Sequence, residues 1–150
     1  EIAQAYVSPL ARAQSTYRLT STQCCCHSVQ TRDELAEISA GTATGRTLSE
    51  FREMYPEFWR LRGEKKFSTR WPNGGSYEQS VKTLRNLSKE LKQFRGLKKN
   101  ALVVAHQSIN RALLISLGFR PVIRILQLQL PNSIFVNVTN SQMRYFTYFD

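Results

Sequence analysis

With 150 residues, 41% of them hydrophobic and 21% charged, the chain has the size and balance of one globular domain, able to bury a core without a disulfide or metal staple. That balance excludes a disordered chain, and no apolar run approaches the ~20 residues of a membrane span. A net charge of +10 draws the domain to anions: phosphorylated metabolites, nucleic acid or an acidic membrane surface.

Ile2 to Val7 is a short apolar segment, and Ser8-Pro9-Leu10 reads as a strand giving way to a helix with Pro near its first turn. The opening Glu1-Ile2-Ala3-Gln4 lacks the basic and apolar character of a signal peptide, and the absence of an initiator methionine leads us to expect sequence upstream. Helix character runs through about Leu19. Residues 21–33 form a connection with a short strand near His27 to Gln30. Cys24, Cys25 and Cys26 lie there side by side, where neighbours cannot readily bridge each other, and no second cluster exists to complete a zinc site. Reduced thiols and no metal are therefore expected.

Thr47-Leu48-Ser49-Glu50 has the form of a capping box and predicts a helix to about Tyr55, ahead of Pro56. Residues 63–75 read as a basic, turn-rich loop. Ser76 to Gln79 is a second box, and behind it Tyr77, Val81, Leu84, Leu87, Leu91 and Phe94 recur as one apolar face of a long helix. Ala101 to Ala105 is apolar on both faces, as expected for a buried strand of a parallel sheet. His106 stands at its carboxyl end, and a helix from about Ser108 to Leu117 is stopped by Gly118. Two later strands are predicted, Ser133 to Val138 and Met143 to Phe149. The order argues for one α/β domain over residues 1–150, a three-layer sandwich with helices on both faces of a mostly parallel, mixed sheet.

In such sheets ligands bind beyond the carboxyl ends of the strands, facing helix N-termini. Arg12 and His106 are both predicted there. A guanidinium fork and an imidazole converging on one crevice suit a phosphate. Singly, each residue reads as well as surface or structure; together they point to a site.

Ser8-Pro9-Leu10-Ala11-Arg12-Ala13-Gln14-Ser15-Thr16 closely resembles the S-P-L-x-R-A-x-x-T signature of histidine phosphatases, the phosphoglycerate-mutase-like family. Leu35 to Gly41, followed by Gly45-Arg46-Thr47 and Glu50, is similar to that family's L-x-E-x-x-x-G…G-x-T-x-x-E segment. Pro72 to Ser76 resembles its P-G-G-E-S turn, Ala101 to Arg111 its late strand and the turn after it, and Leu130 to Ile134 its closing strand. The motifs stand in family order across nearly the whole chain.

The resemblance implies a phosphomonoester hydrolase that forms a phosphohistidine on a small phosphorylated metabolite without cofactor or metal. It implies that Arg12 binds the phosphoryl oxygens, that His106 hydrogen-bonds the transferring group, that Glu37 is the proton donor, and that Ser8 and Gln107 help hold the phosphate. Three departures stand out: no Arg-His-Gly occurs, Gly75 replaces the acidic residue of the P-G-G-E-S turn, and Gln107 replaces the glycine that often follows the late histidine. An amino-terminal segment with the nucleophile and the first strand is expected ahead of Glu1. A phosphoglycerate-type mutase and a non-catalytic pseudoenzyme that binds phosphate or a protein partner stay open beside the phosphatase. The segment from Val104 to Leu113 looks nearest to cyanobacterial and plant members, which include 2-carboxyarabinitol-1-phosphate phosphatase. Cytoplasm, or alternatively plastid stroma, is the expected compartment. The basic residues are spread and lack interleaved aromatics, so neither a nucleic acid nor a membrane is expected as partner; a homodimer is possible.

Overall fold

Strand β1 (Ile2–Val7) lies at the centre of a three-stranded parallel sheet, between β2 (Val29–Thr31) and β3 (Asn100–Val104). The structure, a computed structural model, describes residues 2–21, 26–97, 99–130, 134–139 and 142–147. Side chains of β1 alternate between two faces. Ala5 and Val7 pack with Ala13, Tyr17, Leu102 and Val104, whereas Tyr6 joins the larger cluster built on Leu84, Leu87 and Ala112. Both faces are thus covered, the first by α1 (Ala11–Ser21). The register pairs Val7 with both Thr31 and Val104, so the residues following β1 and β3 emerge side by side. Pro9 precedes α1 and lies outside its first turn.

The other face is covered by α4 (Tyr77–Thr83), α5 (Arg85–Gly96) and α6 (Gln107–Leu117). The long helix expected from Tyr77 is two helices, broken at Leu84, but the apolar face runs through the break and Leu84 and Leu87 are fully buried. Ser76 caps α4 by accepting from the Gln79 N–H at 3.2 Å. Gly118 ends α6 at φ +107°, a conformation that glycine adopts without a Cβ penalty.

In chain order before these helices, α2 (Leu48–Met54) begins with a complete capping box, the Thr47 N–H donating to Glu50 Oε2 at 2.7 Å and the Glu50 N–H to Thr47 Oγ1 at 3.3 Å. Residues 63–75 are not all loop, since their first three continue a helix. Pro56 opens α3 (Pro56–Lys65), because proline at the first helical position loses no hydrogen bond and has its φ preset. A further helix that sequence reading missed, α7 (Val122–Gln127), follows α6.

Two expectations for the sheet are corrected. β3 is only half-buried, since β1 pairs with one of its edges and no strand among the described residues pairs with the other. The late strands β4 (Ile134–Thr139) and β5 (Gln142–Thr147) satisfy each other in an antiparallel hairpin that forms its own two-stranded sheet instead of mixing with the parallel one. Met143 of β5 packs against the main core. Cys24, Cys25, Ser133 and Phe149 lie outside the described residues.

Candidate active site

Ser8 continues the β1 ladder by one residue, its N–H donating to the Val104 carbonyl at 2.9 Å. That bond fixes the ends of β1 and β3 against each other and brings Ser8 to His106. Ser8 is fully buried and His106 is 7% exposed. Ser8 Oγ lies 2.8 Å from His106 Nε2 and accepts from the Leu10 N–H at 3.3 Å, while Gln14 Nε2 donates to the Ser8 carbonyl at 2.7 Å. From the first turn of α1, Arg12 Nε donates to His106 Nδ1 at 3.0 Å.

An arginine cannot accept, so Nδ1 carries the lone pair and the neutral ring holds its proton on Nε2, donating to Ser8. Burial pushes the His106 pKa down, the Arg12 charge pushes it further down, and Glu37 pulls weakly the other way. His106 is therefore a neutral imidazole at pH 7. Ser8 Oγ accepts a hydrogen bond from the ring instead of donating to it, and so is not an activated nucleophile.

Glu37 follows a 3₁₀ turn (Asp33–Leu35) anchored by the fully buried Leu35. Its Oε1 accepts the N–H of Ile38 at 2.9 Å. The half-buried carboxylate borders a cavity of about 190 Å³ shared with Arg62, Trp71, Ser76, Tyr77 and Ser108. It is also close enough to His106 to act on its titration.

A second positive centre adjoins this cavity, and sequence reading did not single it out. Arg111, 6% exposed on the inner face of α6, donates through Nε to the Leu128 carbonyl at 2.8 Å and through Nη1 to the Tyr77 hydroxyl at 3.2 Å. Lys66 donates to the Leu126 carbonyl at 2.9 Å, and the Arg62 guanidinium sits 4.4 Å over the Trp71 ring centre. Burial lowers the pKa of both Arg62 and Lys66; Arg111 lowers both further, and Arg62 adds to the effect on Lys66. None of the three forms an ion pair among the described residues. Three cations gather here with no carboxylate at ion-pair distance among the described residues, an arrangement that an anion would relieve.

Gln107 belongs to this centre. With its amide oxygen turned toward donors, it accepts from the Leu130 N–H at 3.1 Å and from Arg111 Nη2 at 3.2 Å. The structure thus joins Ser8, Arg12 and His106 directly, sets Glu37 beside them, and places Gln107 on Arg111. The available signal for the cluster was Arg111 itself, the one charge within the apolar run Ile109 to Leu117. Among the described residues no helix is long and apolar enough to cross a membrane, and no group of three metal-ligating side chains occurs.

Residues 1–145 match the family model of the histidine phosphatase superfamily, branch 1. The chain belongs to that superfamily. The 6-phosphofructo-2-kinase/fructose-2,6-bisphosphatase of Gallus gallus and isoform 1 from Homo sapiens are each 40% identical over 80 residues, 53% of this chain and 16% of theirs. The match therefore spans a small part of those longer proteins. Among solved structures, the alpha-ribazole phosphatase of Shigella flexneri superposes with a TM-score of 0.75 at 17% identity, covering 98% of this chain and 73% of that one. A mycobacterial glucosyl-3-phosphoglycerate phosphatase superposes with a TM-score of 0.72 at 19% identity, covering 97% and 76%. At such identities the superpositions speak for the fold, a parallel sheet flanked by helices.

Proposed function

We propose that the full-length protein hydrolyses a phosphomonoester through a phosphohistidine, and that its substrate is a small metabolite with a second phosphate or carboxylate. The observation that carries this reading is the cavity bordered by Glu37, with His106 close enough to feel that carboxylate, Arg12 bonded to His106, and Arg62, Lys66 and Arg111 gathered about Tyr77. Arg12 neutralises the transferring phosphoryl group, Glu37 protonates the departing oxygen, and the second cluster holds the remote anion. Phosphoryl transfer asks for positioning and neutralisation of oxygen charge, which these residues supply. The fructose-2,6-bisphosphatase in the relatives' name is consistent with a sugar bisphosphate.

Neither histidine of these 150 residues suits the nucleophile. Both ring nitrogens of His106 are engaged, by Ser8 and Arg12. The His27 N–H bonds to the Ile2 carbonyl, at the far end of β1. A strand of that length places it roughly 16–20 Å from Ser8. The nucleophile in our reading comes from outside this stretch.

The experiment is acid-stable against base-stable trapping of phosphoenzyme in the full-length protein, with turnover assayed on fructose 2,6-bisphosphate and on sugar monophosphates in the presence of a chelator. A base-stable, acid-labile phosphoenzyme and a preference for the bisphosphate are expected. Tight binding with neither turnover nor phosphoenzyme would favour the pseudoenzyme, a reading to which the fully engaged ring of His106 lends some support. Phosphoryl exchange between two sugar positions would favour the mutase.

A further inference from the structure

We infer that the turn Trp71–Gly75 holds the proton donor and the second-anion site at a fixed separation, with Gly74 and Trp71 as its positioning residues. The inference rests on the reading of Glu37 and Arg62 given above. One side of the turn is stitched to the backbone that carries Glu37. The Gly75 N–H donates to the Ser39 carbonyl at 2.9 Å, and the Thr42 N–H and hydroxyl donate to the Pro72 carbonyl at 3.0 and 3.3 Å. The turn is closed on itself by the Gly74 N–H to the Trp71 carbonyl at 2.8 Å and the Trp71 N–H to the Gly75 carbonyl at 2.9 Å.

So close an approach requires glycine on both sides. A Cβ on Gly74 would lie 2.4 Å from the Ser39 carbonyl oxygen, and one on Gly41 would lie 2.0 Å from that of Pro72. Gly41 also sits at φ +56°. Any side chain at Gly74 therefore presses hardest on residue 39, two positions from the acid, and also on the Trp71 Cβ at 2.7 Å, so both ends of the separation respond to it. On its other side the turn carries the Trp71 ring, which lies under the Arg62 guanidinium and is itself wedged against Phe58 at 4.8 Å and Phe51 at 5.6 Å. Glu37, Arg62 and Trp71 all border the same cavity. One five-residue turn thus touches the backbone behind the acid and the side chain of a cation, and a substrate must match the separation it sets.

A merely structural turn would, when damaged, impair every substrate alike. A positioning turn separates them. In the full-length protein, Gly74→Ala should lower kcat for sugar phosphates at least about tenfold, part of the loss expected from removing a general acid, while p-nitrophenyl phosphate is largely spared. Gly74→Ala combined with Glu37→Gln should be no slower than Glu37→Gln alone, since both act through one carboxylate. Trp71→Ala should raise KM for a sugar bisphosphate several-fold to about tenfold more than KM for a monophosphate, and Trp71→Phe should restore most of it, as a cation–π contact of ordinary strength predicts. Equal losses across substrates, or additive losses in the double variant, overturn the inference. If Gly74→Ala fails to fold, the Trp71 pair decides. If the wild type turns over nothing, the functional reading fails by itself, and calorimetric binding of pyrophosphate decides this one: weaker binding in Trp71→Ala but not in Trp71→Phe upholds it, and unchanged binding in Trp71→Ala ends it.

Discussion

Arg12 Nε donates to His106 Nδ1 at 3.0 Å, and that bond determines which nitrogen of the imidazole carries the proton. The other nitrogen lies 2.8 Å from a fully buried hydroxyl, so the ring is fixed as the Nε2–H tautomer between Ser8 and Arg12. Imidazole nitrogen NMR shifts should report a neutral Nε2–H ring at pH 7 in wild type. Arg12→Ala should loosen that preference toward a mixture of tautomers.

Burial and the Arg12 charge together set the sign of a pH effect. Burial first, and then Arg12, hold the folded His106 pKa below its unfolded value of about 6.5. A depressed histidine favours folding while it is neutral, so its contribution is complete above the unfolded pKa and is lost as the pH falls from there through the folded pKa. Thermal denaturation from pH 8 down to pH 5 should show Tm falling below about pH 6.5 in wild type. The slope attributable to this group should vanish in His106→Gln. An unchanged slope would transfer the effect to other groups.

Arg111 and Lys66 should separate stability from binding. Arg111→Ala leaves the Leu128 carbonyl and the Tyr77 hydroxyl without their buried donor, which costs about 1–3 kcal/mol, and also removes a cation from the second centre. Lys66→Ala gives up one bond to the Leu126 carbonyl from a half-buried position and should cost less in Tm. Both should raise KM for a sugar bisphosphate much more than for a monophosphate. Equal KM changes for the two substrates would exclude the cluster from recognition of a second anion.

What could be read from the sequence was local chemistry. The capping box at Thr47 and Glu50, the helix stop at Gly118 and the strand leading to His106 each depend on a few neighbouring residues, and each stands in the structure. α3 was lost because Pro56, read as a stop for the preceding helix, also starts the next one. The half-burial of β3 depends on which strands pair with it, a long-range fact absent from its apolar pattern. The second cationic centre was hidden for a similar reason. Arg62 and Lys66 look like ordinary surface charge until the fold brings them close enough to Arg111 to feel its charge. Arg12 and His106 were legible because His106 follows the end of β3 and Arg12 lies in the first turn of the helix after β1, where an α/β sheet presents ligand-binding groups.

Glu37 carries the most discriminating prediction. It borders the cavity and influences His106, whereas its neighbour Glu34 is already paired with Arg32 at 3.1 Å. A sugar alkoxide is a poor leaving group and needs protonation as the P–O bond breaks, a contribution of roughly 10²–10⁴-fold in rate. A nitrophenolate leaves without that help. In the full-length protein, Glu37→Gln should slow hydrolysis of sugar phosphates by about that factor while sparing p-nitrophenyl phosphate far more. Arg12→Ala and His106→Ala should impair both substrates, because they act at the phosphoryl end common to the two. Steady-state kcat for the two substrates, measured in each variant, provides the comparison. Equal losses on both substrates for Glu37→Gln would assign the acid to another residue, Glu34 first, and no loss on either would leave Glu37 a carboxylate that merely caps the N–H of Ile38.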